Sequence, residues 1–374
     1  MPNLLLRVHT NTVLGKQIAQ KFYGKAHSKS YYLGCSTGGR QGLKSAQTFP
    51  GDFDGIVAGA PAVAFNNLTS WSGHFLPITG PQGSPTSVPL SLWPTIHQSI
   101  LDQCDALDGY KDGIIEDTLL CKYNPSVLLC KGSTTTNCLT QTQVNTVNQI
   151  FAPLYVNNNK TLVYPRMQPG SELVAQFIYY AGTVFPYTED WFRYVVYNDP
   201  SWSATTIGEK DYLAAAALNP FNIDSFDPLD KFQKAGGKVL MYHGSADFII
   251  SSENSPRYYE HVAKTMRQTP AQLDSFFRFF RVSGMGHCAG GDGAWAIGQG
   301  SAGNAGLQPD RNVLMAVVDW VERGKAPEAI LGTKWVDDVV GGQVAFSRKH
   351  CKYPKRNKYN GGDPKKPEGW TCVA

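Results

Sequence analysis

One stretch constrains this chain more than any other: Tyr31-Tyr32-Leu33-Gly34-Cys35-Ser36-Thr37-Gly38-Gly39-Arg40. Aromatic and apolar residues suited to a strand run into a strict G-x-S-x-G pattern, Gly34 to Gly38, and a Gly-rich helical start follows. Such an order pushes a serine out on a tight strand-to-helix turn. The motif glycines are expected where a β-carbon would crowd the neighbouring backbone. The helix N-terminus beneath the serine can help to hold developing negative charge. An ordinary Gly/Ser turn is the bland alternative, and it accounts for neither the strand before nor the helix after.

A nucleophilic serine needs a base, and the base needs an orienting acid. Around a turn of this kind the chain order is Ser, Asp, His, with acid and base on loops at the carboxyl ends of later strands. A strand candidate over 236–244 ends in Ser245-Ala246-Asp247, and a second over 275–280 leads to Ser283-Gly284-Met285-Gly286-His287-Cys288. The reading is Ser36 as nucleophile, His287 as base, Asp247 as acid and the Thr37 backbone N–H as one oxyanion donor. His243 competes as base, but it precedes Asp247 on the same strand, a poor position for reaching both partners. Cys35 as nucleophile would put the thiol one residue off the tip of the turn.

The expected fold is therefore α/β, of the α/β-hydrolase class. Helical spacing over 11–24 predicts a helix leading into the elbow strand, a helix over 39–46 leaves it, and 53–61 is a short buried strand. From 66 to 234 regular βα alternation stops, and Thr, Asn, Pro, Gly and aromatic pieces dominate. That segment reads as an inserted lid domain, since a rigid scaffold tolerates insertions at its loops. The expected domains are 1–65 with the elbow, 66–234 as lid, and 235–374 with acid and base. An amphipathic helix over 312–323 closes the core, and the basic tail near 348–367 reads as a solvated surface segment. The residues before the elbow strand contain no HGG-type loop for a second oxyanion donor, so the fold is expected to be N-terminally incomplete.

A net charge of +4 with scattered basic residues, and no apolar run long enough for a bilayer, point to neither a nucleic-acid nor a membrane partner. Eight cysteines without C-x-x-C spacing or nearby histidine clusters favour four disulfides over zinc. Close pairs stand out (Cys104 with Cys121, Cys130 with Cys138, Cys351 with Cys372), but sequence alone leaves the pairing open. A bond between Cys35 and Cys288 would strap two catalytic loops together. Sequons at Asn67 and Asn159 suit a secreted glycoprotein, although residues 1–15 lack a signal peptide pattern. Asp105-Ala106-Leu107-Asp108-Gly109-Tyr110-Lys111-Asp112-Gly113-Ile114-Ile115 gathers carboxylates on a glycine-turned loop. That composition suits hard-oxygen coordination of a structural Ca²⁺, without the EF-hand spacing.

Taken together, these residues resemble the tannase and feruloyl esterase family of secreted serine esterases. The resemblance rests on Gly34-Cys35-Ser36-Thr37-Gly38-Gly39-Arg40-Gln41-Gly42, on Phe53-Asp54-Gly55-Ile56-Val57-Ala58-Gly59-Ala60-Pro61 and on Cys104-Asp105-Ala106-Leu107-Asp108-Gly109. His243-Gly244-Ser245-Ala246-Asp247 and Gly286-His287-Cys288 complete it in family order. It implies Ser36, Asp247 and His287 as triad, and disulfides Cys35–Cys288, Cys104–Cys121, Cys130–Cys138 and Cys351–Cys372. It also implies calcium held by the side chains of Asp105, Asp108 and Asp112 and the carbonyls of Tyr110 and Ile114. Members hydrolyse esters of phenolic acids such as gallate, ferulate and p-coumarate. They carry a longer segment before the elbow, so this chain is expected to lack the family's N-terminal part. Two rivals follow: a calcium-stabilised carbohydrate-binding or structural homologue with impaired catalysis, and a secreted lipase or general carboxylesterase.

Overall fold

The computed structural model describes residues 4–224, 226–300 and 306–374. Its strands are β1 Tyr31–Cys35, β2 Gly55–Gly59, β3 Leu154–Val156, β4 Thr161–Tyr164, β5 Lys238–Gly244, β6 Phe277–Val282, β7 Ala329–Trp335, β8 Val344–Cys351, β9 Arg356–Tyr359 and β10 Trp370–Val373. Three helices matter first: α1 Leu4–Tyr23, α2 Thr37–Thr48 and α3 Phe65–Gly73. By internal contacts the chain divides into two units. One comprises 4–63, 226–244 and 255–374, and the other Ala64–Asp224 with Ser245–Asn254.

The first unit is built on a parallel sheet in the order β1-β2-β5-β6. Strands β2, β5 and β6 are buried on both faces, as parallel strands covered by helices are, while the edge strand β1 is half-buried with Leu33 exposed. Side chains alternate strictly between two apolar clusters. Ile56, Ala58, Val239, Met241, Phe277 and Phe279 pack on one face with Leu43 and Val262. Val57, Leu240, Tyr242, Phe280 and Val282 pack on the other with Val313 and Val317 from the helix Val313–Arg323. Asn312 caps that helix by accepting from the N–H groups of Leu314 and Met315.

The elements foreseen from the sequence are present with shifted ends. The leading helix starts at Leu4 rather than 11, and it is tied to the segment after α2. His9 stacks on Phe49 and bonds Asp52 through Nδ1 (2.9 Å), and Lys16 Nζ donates to the Asp52 carbonyl (2.6 Å).

The basic tail corrects its reading in part: Lys355, Lys358, Lys365 and Lys366 are exposed as expected, but Arg348, His350 and Asn357 are buried. The tail supplies the end of β8, paired antiparallel with β7, and β9, paired antiparallel with β10, and Cys351 is bonded to Cys372. Arg348 is 1% exposed and lies 3.8 Å over the Trp370 ring. Counting basic residues missed the period-two burial of β8, and a guanidinium loses less on burial when it stacks on an indole face.

The second unit is mostly helical, with a β3–β4 hairpin. Its core is aromatic: Trp71 meets Phe75, Tyr164 and Tyr179, and Tyr180 stacks on Trp93 at 4.7 Å. His74 is buried among them, and desolvation pulls its pKa down to about 4. A neutral ring donating from Nδ1 to the Trp71 carbonyl suits that place. Disulfides Cys104–Cys121 and Cys130–Cys138 close two of its loops.

Candidate active site

Ser36 stands between the end of β1 and the start of α2 with φ 63° and ψ −124°, a conformation costly for any residue with a β-carbon. Its backbone is clamped on both sides. The Ser36 N–H donates to the Gly59 carbonyl (3.0 Å), and its carbonyl accepts from Arg40 (3.1 Å) and Ala62 (3.1 Å). Serine is among the best helix caps, yet the Ser36 side chain makes no capping hydrogen bond. The hydroxyl is thus left to other chemistry. Thr37, exposed at the first position of α2, carries one of the N–H groups that have no acceptor within a helix.

The glycines divide the work differently from the bare motif. A β-carbon at Gly34 would lie 2.7 Å from the Gly38 backbone, and one at Gly39 only 2.4 Å from the Gly59 carbonyl oxygen. At Gly38 the nearest atom would be the Tyr32 hydroxyl at an ordinary 3.7 Å. Gly34 and Gly39, not the second glycine of G-x-S-x-G, are the sterically required ones. Gly42 makes room for the Tyr32 ring, whose hydroxyl donates to the Gly38 carbonyl (2.8 Å) and braces the first turn of α2.

His287 is half-buried in the loop after β6, and Cys288 beside it has φ 65°. Cys35 and Cys288 are disulfide-bonded with Cα atoms 6.0 Å apart, so the neighbours of Ser36 and His287 are covalently joined. The loop is wound tightly: Gly286 N–H donates to the Gly290 carbonyl (2.9 Å), and Gly293 N–H to the Gly284 carbonyl (3.1 Å). Buried Gln299 holds it from below. Its Nε2 donates to the carbonyls of Cys288 (3.3 Å) and Trp295 (3.0 Å), and its Oε1 accepts from Ile297 N–H (2.9 Å). Gln299 carried no motif and went unremarked in the sequence. The rival histidine, His243, is fully buried in β5 with Nδ1 on Ser255 Oγ at 2.7 Å.

Asp247 lies three residues past β5, in the segment that groups with the second unit. It is fully buried, and its Oδ1 accepts from the N–H groups of Ile249 (2.8 Å) and Ile250 (2.9 Å).

In the same unit the acidic loop turns through Gly109 (φ 101°) and Gly113 (φ 80°). Asp105 accepts from Asp112 N–H (3.3 Å) and Gly113 N–H (3.0 Å), Asp108 from Tyr110 N–H (2.8 Å), and Asp112 from Ile114 N–H (3.2 Å). Among the described residues no three His, Cys, Asp or Glu side chains converge on a point where they would hold a metal by themselves.

The sequons fare differently. Asn67 lies inside α3, where Thr69 is buried and its hydroxyl donates to the Asn66 carbonyl (2.9 Å). Asn159 is exposed on the turn between β3 and β4, beside Asn157 and Asn158, all three with positive φ. Material from a eukaryotic secretory host is expected to carry its glycan at Asn159 and none at Asn67. Glycopeptide mass spectrometry after endoglycosidase treatment decides it, and an occupied Asn67 would count against this reading of burial.

The tannase and feruloyl esterase family profile matches residues 6–373. A probable feruloyl esterase B-2 of Aspergillus terreus is 54% identical over 369 residues, taking in 98% of this chain and 70% of that protein. A probable feruloyl esterase B-1 of Aspergillus fumigatus is 56% identical over 370 residues, 98% of this chain and 69% of that one. The crystal structure of feruloyl esterase B from Aspergillus oryzae superposes with a TM-score of 0.94 at 52% identity, covering 98% of this chain and 73% of its own. Tannin acyl hydrolase from Aspergillus niger, at 22% identity and a TM-score of 0.74, shares the fold.

These matches correct the expectation of a member, and of an α/β-hydrolase fold, lacking its N-terminal part. The alignment takes in nearly the whole chain from residue 6. The fold is α/β-hydrolase-like with helical insertions, and the chain belongs to the tannase and feruloyl esterase family of carboxylic ester hydrolases.

Proposed function

We propose that this enzyme hydrolyses esters of plant phenolic acids, of the ferulate or gallate kind, through an acyl-enzyme on Ser36. His287 takes the Ser36 hydroxyl proton as Oγ attacks the ester carbonyl, while Asp247 orients the imidazole. The Thr37 N–H donates to the oxyanion. The alcohol leaves with the proton returned by His287, and a water activated by the same base then releases the acid. The observation that carries this reading is the Ser36 backbone, held at φ 63° and strapped through Cys35 to the neighbour of His287. Methyl ferulate and methyl gallate are the test substrates, with wild type against Ser36→Ala. Failure to release either acid in a Ser36-dependent way would sink the proposal.

Four disulfides, with no free cysteine among the described residues, suit an oxidising, extracellular setting. No helix among the described residues is long and apolar enough to cross a membrane.

The acidic loop suits a structural calcium ion, supplied by the carboxylates of Asp105, Asp108 and Asp112 and the carbonyls of Tyr110 and Ile114. Two buried carboxylates (Asp105 and Asp108) on a glycine-turned, disulfide-closed loop are a hard-oxygen donor set. The side chains now bond backbone N–H groups, so the two carbonyls are needed to complete the set. Calcium there steadies the loop and takes no part in the serine chemistry. Chelation is expected to lower Tm by about 5 °C, the effect of removing a ligand at roughly a hundred times its Kd from a domain of this size class. Readded calcium restores it, and Asp105→Ala abolishes the response. An unchanged Tm, with no calcium by elemental analysis, would refute the site.

A further inference from the structure

The segment Ser245–Asn254 groups with the helical unit, and the hydrogen bonds within that unit give the reason. Tyr179 is 2% exposed, stacked on Phe75 with ring centroids 4.9 Å apart, and its hydroxyl donates to the Ile249 carbonyl (2.9 Å). Ile249 in turn donates its N–H to Asp247 Oδ1 (2.8 Å). Two residues on, Ser251 Oγ donates to the Arg166 carbonyl (2.6 Å). The Arg166 side chain then reaches both ways: Nε to Glu253 Oε1 (2.9 Å), and its terminal nitrogens to the carbonyls of Thr118 (2.8 Å) and Cys121 (3.2 Å). Cys121 is the far end of the disulfide that closes the acidic loop.

We infer that Tyr179, with Arg166 as a second anchor through Ser251 and Glu253, is a positioning residue that fixes the Asp247 loop from within the inserted unit. The inference rests on the reading of Asp247 as the triad acid. Burial, and then the charge of Asp247, raise the Tyr179 pKa, so the phenol remains a donor across the working pH range. A backbone loop whose carbonyl is held by a rigid aromatic stack cannot swing, and small misplacements of a catalytic group are costly in rate. The insertion thus carries part of the proposed machinery, the support of the Asp247 loop.

The test is a double-mutant cycle on the full chain with a methyl ester of ferulic or gallic acid. Tyr179→Phe removes one hydroxyl and leaves the stack in place. It is expected to lower kcat about 10- to 100-fold, with KM within about twofold of wild type because binding contacts are untouched. Ser251→Ala is expected to act in the same direction, more weakly. In an Asp247→Asn background Tyr179→Phe should cost nothing further, since the group it positions is already lost. Undiminished kcat in Tyr179→Phe, or a full additional loss in the Asp247→Asn background, would overturn the inference. If Asp247→Asn itself retains full kcat, the assignment of Asp247 as acid fails instead, which separates the two.

Discussion

Ser36→Ala is expected to lower kcat on a phenolic methyl ester by about 10⁴- to 10⁶-fold, the range seen when a serine hydrolase loses its nucleophile. The substitution removes one oxygen and keeps the β-carbon. It therefore keeps the unfavourable φ of 63° and the clamp from Gly59, Arg40 and Ala62, all of which are backbone properties. Tm should change little, and KM should stay near wild type, because the hydroxyl contributes to the transition state far more than to ground-state binding. His287→Ala should cost a comparable amount, and the Ser36→Ala/His287→Ala pair no more than either alone, since nucleophile and base act as one unit. Steady-state kinetics with burst-phase controls measure all three. A Ser36→Ala protein that keeps even a tenth of wild-type kcat would remove the acyl-enzyme mechanism from consideration.

The candidate site could be read from the sequence because the residues proposed for it sit on local patterns. The elbow announces itself by glycines that follow a strand, and Asp247 and His287 each follow a strand of the same buried type, in the expected order. What was illegible depends on contacts between distant segments. The need for glycine at 39 comes from the Gly59 carbonyl, which only the β1–β2 pairing brings close. Gln299 and Tyr179 act through main-chain carbonyls, and a carbonyl has no residue identity for a motif to record. The sequon at Asn67 reads as well as that at Asn159, and only its place inside α3 with a buried Thr69 tells them apart. Arg348 failed for the opposite reason: composition called it solvent-facing, while strand alternation and an indole ring bury it.

The Cys35–Cys288 bond is where stability and catalysis meet, and its removal is expected to damage both. It joins residues 253 apart in sequence, against 21 for Cys351–Cys372. Chain-entropy reasoning gives about 5 kcal/mol for the longer loop and about 3 kcal/mol for the shorter. Stability alone would make the two differ by degree. Activity should make them differ in kind. Cys35 immediately precedes the nucleophile and Cys288, at φ 65°, immediately follows the base, so cutting the strap frees the His287 loop to drift relative to the elbow. A shift of about 1 Å between reacting groups costs on the order of 10²-fold. Cys351 and Cys372 lie in β8 and β10 of the C-terminal hairpins, so Cys351→Ala/Cys372→Ala should lower Tm with kcat nearly unchanged. Cys35→Ala/Cys288→Ala should lower Tm further and kcat about 100-fold at a temperature where the variant is still folded. Circular dichroism melts and kcat measured on the same preparations compare them. Equal kcat in the two variants would mean that the Gln299 and glycine hydrogen bonds alone hold His287 in register, and that the strap serves only the fold.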